Sequence, residues 1–508
     1  MNGKRLVFYL TNKISHTLGK ITFTVATLLC SNLPAQAANF NFTYSPGITD
    51  EQKSAVEMAG QVWSNRIEDD ITVNLHIEMT DASKLPTNTI GGALPAFLSD
   101  TNYGDFYNNL VSDRRSANDE TATNSLFSEG QVNKWTSNGG GAQGKLESNK
   151  INLTTANAKA VGLIDQHHTG LDGVILLSDL SNHDVDWQYD YLSPDVGADK
   201  LDFTSVVIHE IGHVLGFVSA LDAINSDNHR NGLVATTVGG TSVGDATDRD
   251  NRQKHFSSLD LFRYLEPETS EGTTYSFEDG EFVLEEEEII ITRKALSYGQ
   301  ESIFSIDGGI TELAEFSTGQ DITVCDWTLV SDDSDDVFAE FSTVYHCGDG
   351  FQGSHWKHQN PVLGIMDPVL AVNERRSITQ LDLTALDVIG YDIKGTQISL
   401  SNLQSQANAI AENKTGFWRH SDIQNMLNQY GWGGGSGGGN GGGNGGGGGF
   451  GQEMHLADFL AQGGWFQKGT FFSHMPTEMV SVPEPTSIVG LLGFGLLGLG
   501  LRQKRKSN

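Results

Sequence analysis

Residues 202–217, DFTSVVIHEIGHVLGF, carry the most informative pattern in the chain. Asp202 is a good helix cap, and the apolar residues after it recur at helical spacing, so the stretch predicts a helix with a largely apolar frame. His209 and His213 lie four residues apart, which places both imidazoles on one helical face, where they can bind a single metal ion. Gly216 permits the positive φ that ends a helix.

The pattern His-Glu-x-x-His is typical of a catalytic zinc helix, in which Glu210 lies beside the first ligand and can reach a zinc-activated water. A surface helix with two unrelated histidines is the simpler interpretation. It does not explain why three ionisable groups lie within a valine- and isoleucine-rich frame. A hydrophobic core tolerates such groups only with a compensating ion or hydrogen-bond network. The stretch therefore predicts a buried zinc site with Glu210 as the general base of peptide hydrolysis.

A catalytic zinc needs a third protein ligand and an open position for water. Residues 353–357, GSHWK, offer His355, and residues 364–368, GIMDP, follow with Met366. A glutamate from a downstream helix is the alternative. The best candidates for such a glutamate are Glu312 and Glu315, and His255, His346 and His358 lie in the same part of the chain. His167 and His168 are expected to be loop residues.

Together the two motifs resemble the leishmanolysin family of metzincin zinc peptidases. In that family a long insertion separates the glycine of the zinc helix from a Ser-His-Trp third ligand, and a methionine turn follows. The resemblance covers roughly residues 40–392, although only the two motif segments are specific. It implies zinc ligands at His209, His213 and His355, a general base at Glu210 and the methionine of the turn at Met366.

The sequence departs from the family pattern at two points. Ser219 stands where other metzincins have their third histidine, so the ligand has to come from beyond an insertion at about 219–354. The inhibitory cysteine of the family's prodomain has no counterpart between Ala38 and His209, so we do not expect latency by thiolate ligation. The predicted fold is an α+β, metzincin-like zinc peptidase domain over residues 38–395, with a mixed sheet and an active-site helix.

The start of this domain carries clear secondary-structure signals. Residues 40–44 and 174–177 read as short strands, and Thr49 with Gln52 has capping-box spacing ahead of an amphipathic helix. Residues 71–79 alternate apolar and polar side chains, which predicts a half-buried strand.

The rest of the domain is less regular. Within the insertion, residues 282–284 and 289–291 are short strand candidates around four consecutive glutamates, which read as a solvated edge. Ser377 and Gln380 form a second candidate capping box, before a helix that Gly390 can close. Residues 396–430 are expected to add a helical extension.

Two further features of the chain concern cross-links and calcium. Cys325 and Cys347 are the cysteines that remain after the first 37 residues, and in an oxidising compartment they predict a disulfide. Two aspartate clusters could hold Ca²⁺, although neither has EF-hand spacing. They comprise Asp245, Asp248 and Asp250, and Asp332, Asp333, Asp335 and Asp336.

Both ends of the chain predict export. Residues 1–37 combine lysine and arginine, an apolar run and Ala-Gln-Ala, the layout of a secretory signal peptide. Residues 482–508 read Pro-Glu-Pro, an apolar stretch and a basic cluster, which resembles the PEP-CTERM sorting signal that an exosortase processes in Gram-negative exported proteins. The alternative is a plain transmembrane anchor, although the apolar residues 488–501 reach only ~21 Å of the ~30 Å hydrocarbon core.

Composition limits the classes of molecule that the protein is expected to bind. Sixteen glycines fall within residues 431–451, which predicts a flexible linker before a short tail segment at 452–481. The net charge of −32 opposes nucleic acid, since binding a phosphate backbone requires cations. We therefore expect protein or peptide substrates, and a location at the cell surface or in the matrix of a Gram-negative-type bacterium. The competing hypothesis is a non-catalytic adhesion or matrix protein with a structural zinc.

Overall fold

In a computed structural model of the protein, the helix that carries His209 and His213 packs against a mixed, six-stranded sheet. The structure describes residues 37–85, 88–126, 150–223, 256–278, 281–291, 299–320, 322, 325–331, 341–395, 397–414 and 470–474. The two aspartate clusters, the glycine-rich stretch, the N-terminal segment 1–36 and the C-terminal segment 475–508 lie outside these residues.

Helices and strands are mixed along the chain, which makes the fold α+β. The helices are α1 (Asp50–Ser64), α2 (Tyr103–Asp113), α3 (Ala117–Ser125), α4 (Thr155–Ala160), α5 (Phe203–Leu215), α6 (Gln380–Asp387) and α7 (Leu400–Ala411). The strands are β1 (Asn39–Tyr44), β2 (Thr72–Thr80), β3 (Thr89–Pro95), β4 (Phe97–Asn102), β5 (Lys150–Thr154), β6 (Gly173–Ser178), β7 (Asp186–Gln188), β8 (Lys200–Asp202), β9 (Arg263–Tyr264), β10 (Glu268–Glu278), β11 (Glu281–Ile291), β12 (Ser302–Phe304), β13 (Ala314–Phe316), β14 (Cys325–Ser331), β15 (Phe341–Cys347), β16 (Val369–Leu370) and β17 (Thr470–His474).

The main sheet has the strand order β1-β2-β6-β3-β17-β16. Strands β1, β2 and β6 run parallel to one another, β3 runs antiparallel to β6, and β17 runs antiparallel to β3 and parallel to β16. Helix α5 contacts β3, β6 and β17, and α1 packs against both α5 and α7. The site-bearing helix is thus held between the sheet and α1.

Strand β2 is more deeply buried than its sequence predicted. Its alternation predicted a half-buried strand, but its polar residues Asn74, His76 and Glu78 are buried as well. β2 lies between β1 and β6, and Asn74 finds polar partners in β1 and in the loop before β6. Asn41 donates to the Asn74 amide oxygen, and the backbone carbonyl of Gly170 accepts from Asn74 Nδ2. The prediction was therefore wrong about burial, although the strand itself forms.

Helix α1 begins as its sequence predicted. The Thr49 side chain accepts from the backbone N–H of Gln52, and the Gln52 side chain accepts from the N–H of Thr49, which completes the capping box. At the other end of the helix, Trp63 donates its indole N–H to the carbonyl of Ile208 at 2.8 Å. This bond fixes α1 against the middle of α5.

Helix α6 corrects a second expectation, because Ser377 and Gln380 do not form its capping box. The cap is Thr379, whose side chain accepts from the backbone N–H of Asp382 while the Asp382 carboxylate accepts from Thr379. The carboxylate of Asp382 also binds backbone and side-chain donors outside the helix, which favours this register. Gly390, with φ of 106°, follows the helix as the sequence predicted.

The described parts of the insertion contribute to the core. Strands β9, β12 and β13 form an antiparallel sheet, and Phe262, Phe304 and Phe316 from this region join Trp356 in the hydrophobic core. Strands β10 and β11 form a long hairpin, so the two short strands expected around the glutamate run are one continuous strand. In the part of the chain that the structure describes, no helix combines the length and apolar character needed to cross a membrane.

Candidate metal centre

Helix α5 supplies two of the predicted ligands. The Asp202 carboxylate caps the helix by accepting from the backbone N–H of Ser205 at 2.8 Å, and Gly216 ends it with φ of 122°. Every residue of the helix is buried. The cap, the apolar frame and the glycine stop that the sequence predicted are all confirmed.

The structure brings three histidines together. Nε2 of His209 lies 3.0 Å from Nε2 of His213 and 3.2 Å from Nε2 of His355. All three side chains are fully buried, and among the described residues this trio is the group of ligand-type side chains close enough to share a metal ion. His355 thus meets the two helical histidines across 146 residues of sequence.

The other ring nitrogen of each histidine is bonded to a backbone carbonyl. Nδ1 of His209 lies 2.7 Å from the oxygen of Ile365, Nδ1 of His213 lies 2.7 Å from that of Phe217, and Nδ1 of His355 lies 3.2 Å from that of Gln352. A carbonyl can only accept, so each Nδ1 carries the proton and each Nε2 carries a lone pair. The short Nε2 separations are therefore not hydrogen bonds between neutral rings.

Electrostatics keep the three rings neutral. Burial lowers the pKa of His213 to about 4. It also lowers the pKa of His209 and of His355 well below the ordinary value, and neighbouring histidines lower both further. Neutral imidazole is the form that binds a metal.

The trio fits a zinc ion. Tetrahedral geometry with Zn–N bonds of about 2.0–2.1 Å places ligand nitrogens about 3.3 Å apart, close to the Nε2 distances of 3.0 and 3.2 Å. A proton on Nδ1 bonded to a carbonyl is the arrangement that orients metal-binding histidines. Three converging lone pairs in a buried site are unfavourable without a cation, so these three histidines favour a bound cation.

Glu210, which follows His209 in α5, has an unusual environment. Both carboxylate oxygens are buried without a hydrogen-bond partner among the described residues. Burial raises the pKa of Glu210 well above its ordinary value. The carboxylate lies against β3, because a Cβ added to Gly91 would come within 2.9 Å of Glu210 Oε1. An unpaired buried carboxylate costs folding free energy, so it points to a role in binding or proton transfer.

Met366 lies directly under the helix between the two ligands. A Cβ added to Gly212 would lie 2.5 Å from Met366 Sδ, so only glycine lets the methionine approach this closely. Met366 is buried, and the residue before it, Ile365, carries the carbonyl that binds His209 Nδ1. This segment therefore supports the first ligand from below.

A buried polar network holds the segment of the third histidine. The guanidinium of Arg263 donates to the carbonyl of Gly353 at 2.5 Å and to the hydroxyl of Ser302 at 2.6 Å. The carboxylate of Asp222 accepts from the backbone N–H of Ser354 at 3.1 Å, and burial raises its pKa to about 7. The two residues before His355 are thus fixed from separate parts of the chain.

Asp382 connects the third ligand to the methionine turn. Its carboxylate accepts from the indole N–H of Trp356 at 2.8 Å and from the backbone N–H groups of Ile365 and Met366 at 2.9 and 3.3 Å. The backbone N–H of Trp356 also donates to the carbonyl of Met366 at 3.0 Å. Sequence reasoning missed Asp382, Asp222 and Arg263, because no local spacing relates them to the histidines.

The alternative ligands do not join the trio where the structure describes them. Glu312 is exposed, and Glu315 forms an ion pair with Lys357. His358 binds the carboxylate of Asp367 through Nδ1. His167 and His168 are exposed in a loop, as expected. The side chain of His346 and all of His255 lie outside the described positions.

The cysteine prediction concerns strands β14 and β15. Cys325 and Cys347 oppose each other in the strand register, and Cys347 is disulfide-bonded. This is the backbone placement that the predicted cross-link requires. The hairpin ends shortly before the segment that carries His355.

Comparisons with known proteins identify one feature of the chain. Residues 481–506 match the PEP-CTERM protein-sorting motif. The predicted sorting signal is therefore present, and the match indicates an exported protein that is sorted to the cell surface. Neither the curated proteins nor the solved structures give a significant match to the chain.

Proposed function

We propose that the protein is an exported, zinc-dependent endopeptidase that resembles the leishmanolysin-type metzincins. Two observations carry the proposal: three neutral histidine Nε2 atoms meet, and Glu210, the residue next to His209 in α5, has a buried carboxylate without a hydrogen-bond partner among the described residues. His209, His213 and His355 would hold the ion. The contact of Met366 with the helix at Gly212 and the packing of α5 against a mixed sheet support the metzincin assignment.

Zinc, when bound, supplies a Lewis acid that polarises a peptide carbonyl and acidifies water. The rest of the chemistry falls to Glu210, the unpaired acid beside the trio. A carboxylate can serve both halves of a proton transfer: it takes a proton from water, and the resulting acid returns that proton to the leaving amine. The buried frame of α5 keeps bulk water away from this exchange.

The competing hypothesis is a structural zinc in an adhesion or matrix protein. A structural zinc site usually has four protein ligands, whereas the described residues place three here. A structural site also gains nothing from an unpaired carboxylate, which costs stability. Glu210 therefore favours the enzyme.

The C-terminal sorting motif supports an extracytoplasmic site of action. An exosortase-type enzyme is the expected processing partner. Protein or peptide substrates at the cell surface or in the surrounding matrix are the substrate class that fits this location.

Purified full-length protein tests the proposal. We expect about one zinc per chain by mass spectrometry of metals, cleavage of casein or gelatin, loss of cleavage with a chelator and recovery on adding zinc. The Glu210→Ala variant should keep its zinc and lose cleavage, because Glu210 is not a ligand. Zinc at full occupancy with no Glu210-dependent cleavage of any protein substrate would favour the structural alternative.

A further inference from the structure

A segment from the far end of the chain occupies a defined position in the main sheet. Strand β17, residues Thr470–His474, lies between β3 and β16 and is hydrogen-bonded to both. It runs antiparallel to β3 and parallel to β16, and it contacts α5. This strand was not predicted, because residues 452–481 read as a short tail segment.

The position of β17 relates it directly to the proposed catalytic groups. Phe472 is the register partner of Gly91, the residue whose added Cβ would come within 2.9 Å of Glu210 Oε1. On the other side, β16 begins at Val369, three residues after Met366. The backbone of β17 therefore passes between the strand beside the base and the segment that supports His209.

This is the geometry of a bound peptide. Extended peptides add to a sheet edge through main-chain hydrogen bonds, which serve many sequences because they involve no side chains. A strand paired on both sides has its backbone held along its length, a few ångströms from each neighbour. The slot between β3 and β16 can thus bind an extended chain next to Glu210.

We propose that residues 470–474 of the protein's own tail fill the peptide-binding cleft between β3 and β16 and there compete with extended peptide substrates. The consequence of this inference rests on the proposed peptidase function: a filled cleft would keep the enzyme latent without an inhibitory cysteine. Competition by a tethered segment is effective, because the tether keeps its local concentration high. If the segment occupies the cleft in about 90% of molecules, a competing peptide binds about tenfold more weakly.

Binding of a labelled peptide tests the competition without relying on catalysis. The probe is a fluorescein-labelled peptide of residues 467–476, QKGTFFSHMP, followed by anisotropy. The test variant is the full chain with Phe471→Pro and Phe472→Pro, because proline has no N–H to donate to a ladder. The matched control carries Gly437→Pro and Gly438→Pro in the glycine-rich stretch. All proteins also carry Glu210→Gln, so that the probe is not consumed.

We expect the Phe471→Pro/Phe472→Pro protein to bind the probe at least tenfold more tightly than the protein with the unmodified tail. The Gly437→Pro/Gly438→Pro control should bind it as weakly as the protein with the unmodified tail. Amide hydrogen exchange at residues 89–93 should become at least tenfold faster in the same variant. Equal probe affinity in all three proteins, or no binding to any, would overturn the inference. Zinc-dependent casein cleavage by the Glu210-intact chains is scored separately: its absence contradicts the proposed peptidase, while probe binding still decides the occupancy of the cleft.

Discussion

The two sides of the proposed metal centre are built in different ways. His209 and His213 project from one continuous helix, so the helical repeat and the Asp202 cap fix their spacing. His355 comes from a segment without helix or strand, and residues from distant parts of the chain hold it in place. These are Arg263, Asp222 and Asp382. Two ligands therefore depend on local geometry, and the third depends on a buried polar network.

The two sides therefore respond to different kinds of substitution. Substitutions within α5 act on the ligands themselves, whereas the third ligand can be displaced by a change far away in sequence. Removing one partner from a buried network leaves the other groups unsatisfied, which costs more than the bond contributes. We expect the His355 side to be the more sensitive to pH and to conservative amide substitutions.

The largest expected effect is the loss of metal when the third ligand is removed. His355→Ala should weaken zinc binding by more than about 100-fold, since even loss of a residue that orients a ligand costs about 10- to 100-fold. His358→Ala is the matched control, because His358 binds Asp367 and not the trio. Competition with a zinc indicator measures both. Full zinc in His355→Ala together with loss in Glu312→Ala or Glu315→Ala would show that the third ligand is a glutamate.

The second prediction concerns the pH dependence of stability, which should reflect the buried network on the His355 side of the metal centre. Burial raises the pKa of Asp222 from its ordinary value of 3.8 to about 7. The folded state therefore binds more protons than the unfolded state between about pH 4 and pH 7, and this contribution to stability is lost as pH rises through that range. The loss is at most about 4 kcal/mol.

Urea unfolding at pH 4, 5.5 and 7 checks this. The free energy of unfolding of Asp222→Asn minus that of the unmodified protein should increase with pH over this range, because asparagine does not titrate. Groups elsewhere cancel in the difference. Parallel pH curves for the two proteins would mean that Asp222 does not titrate as the buried network requires.

Asp382→Asn should have a smaller effect on stability. The amide keeps the shape but replaces one accepting oxygen with a donor, so at least one N–H of Ile365, Met366 or Trp356 loses its partner. We expect a loss of about 2–3 kcal/mol in the free energy of unfolding, together with weaker zinc binding. Asp387→Asn on the same helix is the control and should leave zinc affinity unchanged. Equal zinc affinities in both variants would remove Asp382 from the account.

The smallest effect concerns the contact beneath α5. Alanine favours a helix by about 1 kcal/mol over glycine, but its Cβ would meet Met366 Sδ at 2.5 Å, and such overpacking costs about 1–3 kcal/mol. Gly212→Ala should therefore destabilise the protein slightly, whereas the same change in a Met366→Ala background should stabilise it. A double-mutant cycle of thermal unfolding measures the coupling, and a coupling of zero would place Met366 away from the helix.

The sequence predicted those parts of the fold that depend on neighbours in the chain. The Thr49 cap, the Asp202 cap and the Gly216 stop each involve residues within a few positions, and all three are confirmed. The burial of Asn74 depended on strands and loops that pack over β2, which alternation alone does not encode. The cap at Thr379 was missed for a similar reason, because Asp382 also serves donors outside its own helix.

The same limit applies to the candidate site. The Glu210 neighbourhood could be located from His-Glu-x-x-His, but its contact with Gly91 depends on strand pairing across the sheet. The tail strand β17 pairs residues nearly 400 positions apart, and no pattern in residues 470–474 specifies that register. Pairing between strands far apart in sequence depends on the packing of the whole core, so a local sequence pattern does not predict it.

The most direct test of the central claim is the rate of casein cleavage by Glu210→Gln and by the unmodified protein at equal zinc occupancy. Glutamine keeps the size of the side chain and cannot accept and return the proton. We expect a rate lower by roughly 10² to 10⁴, with zinc content unchanged. A Glu210→Gln protein that cleaves casein at the unmodified rate would contradict the proposal that this trio of histidines and its buried carboxylate form the active site of a peptidase.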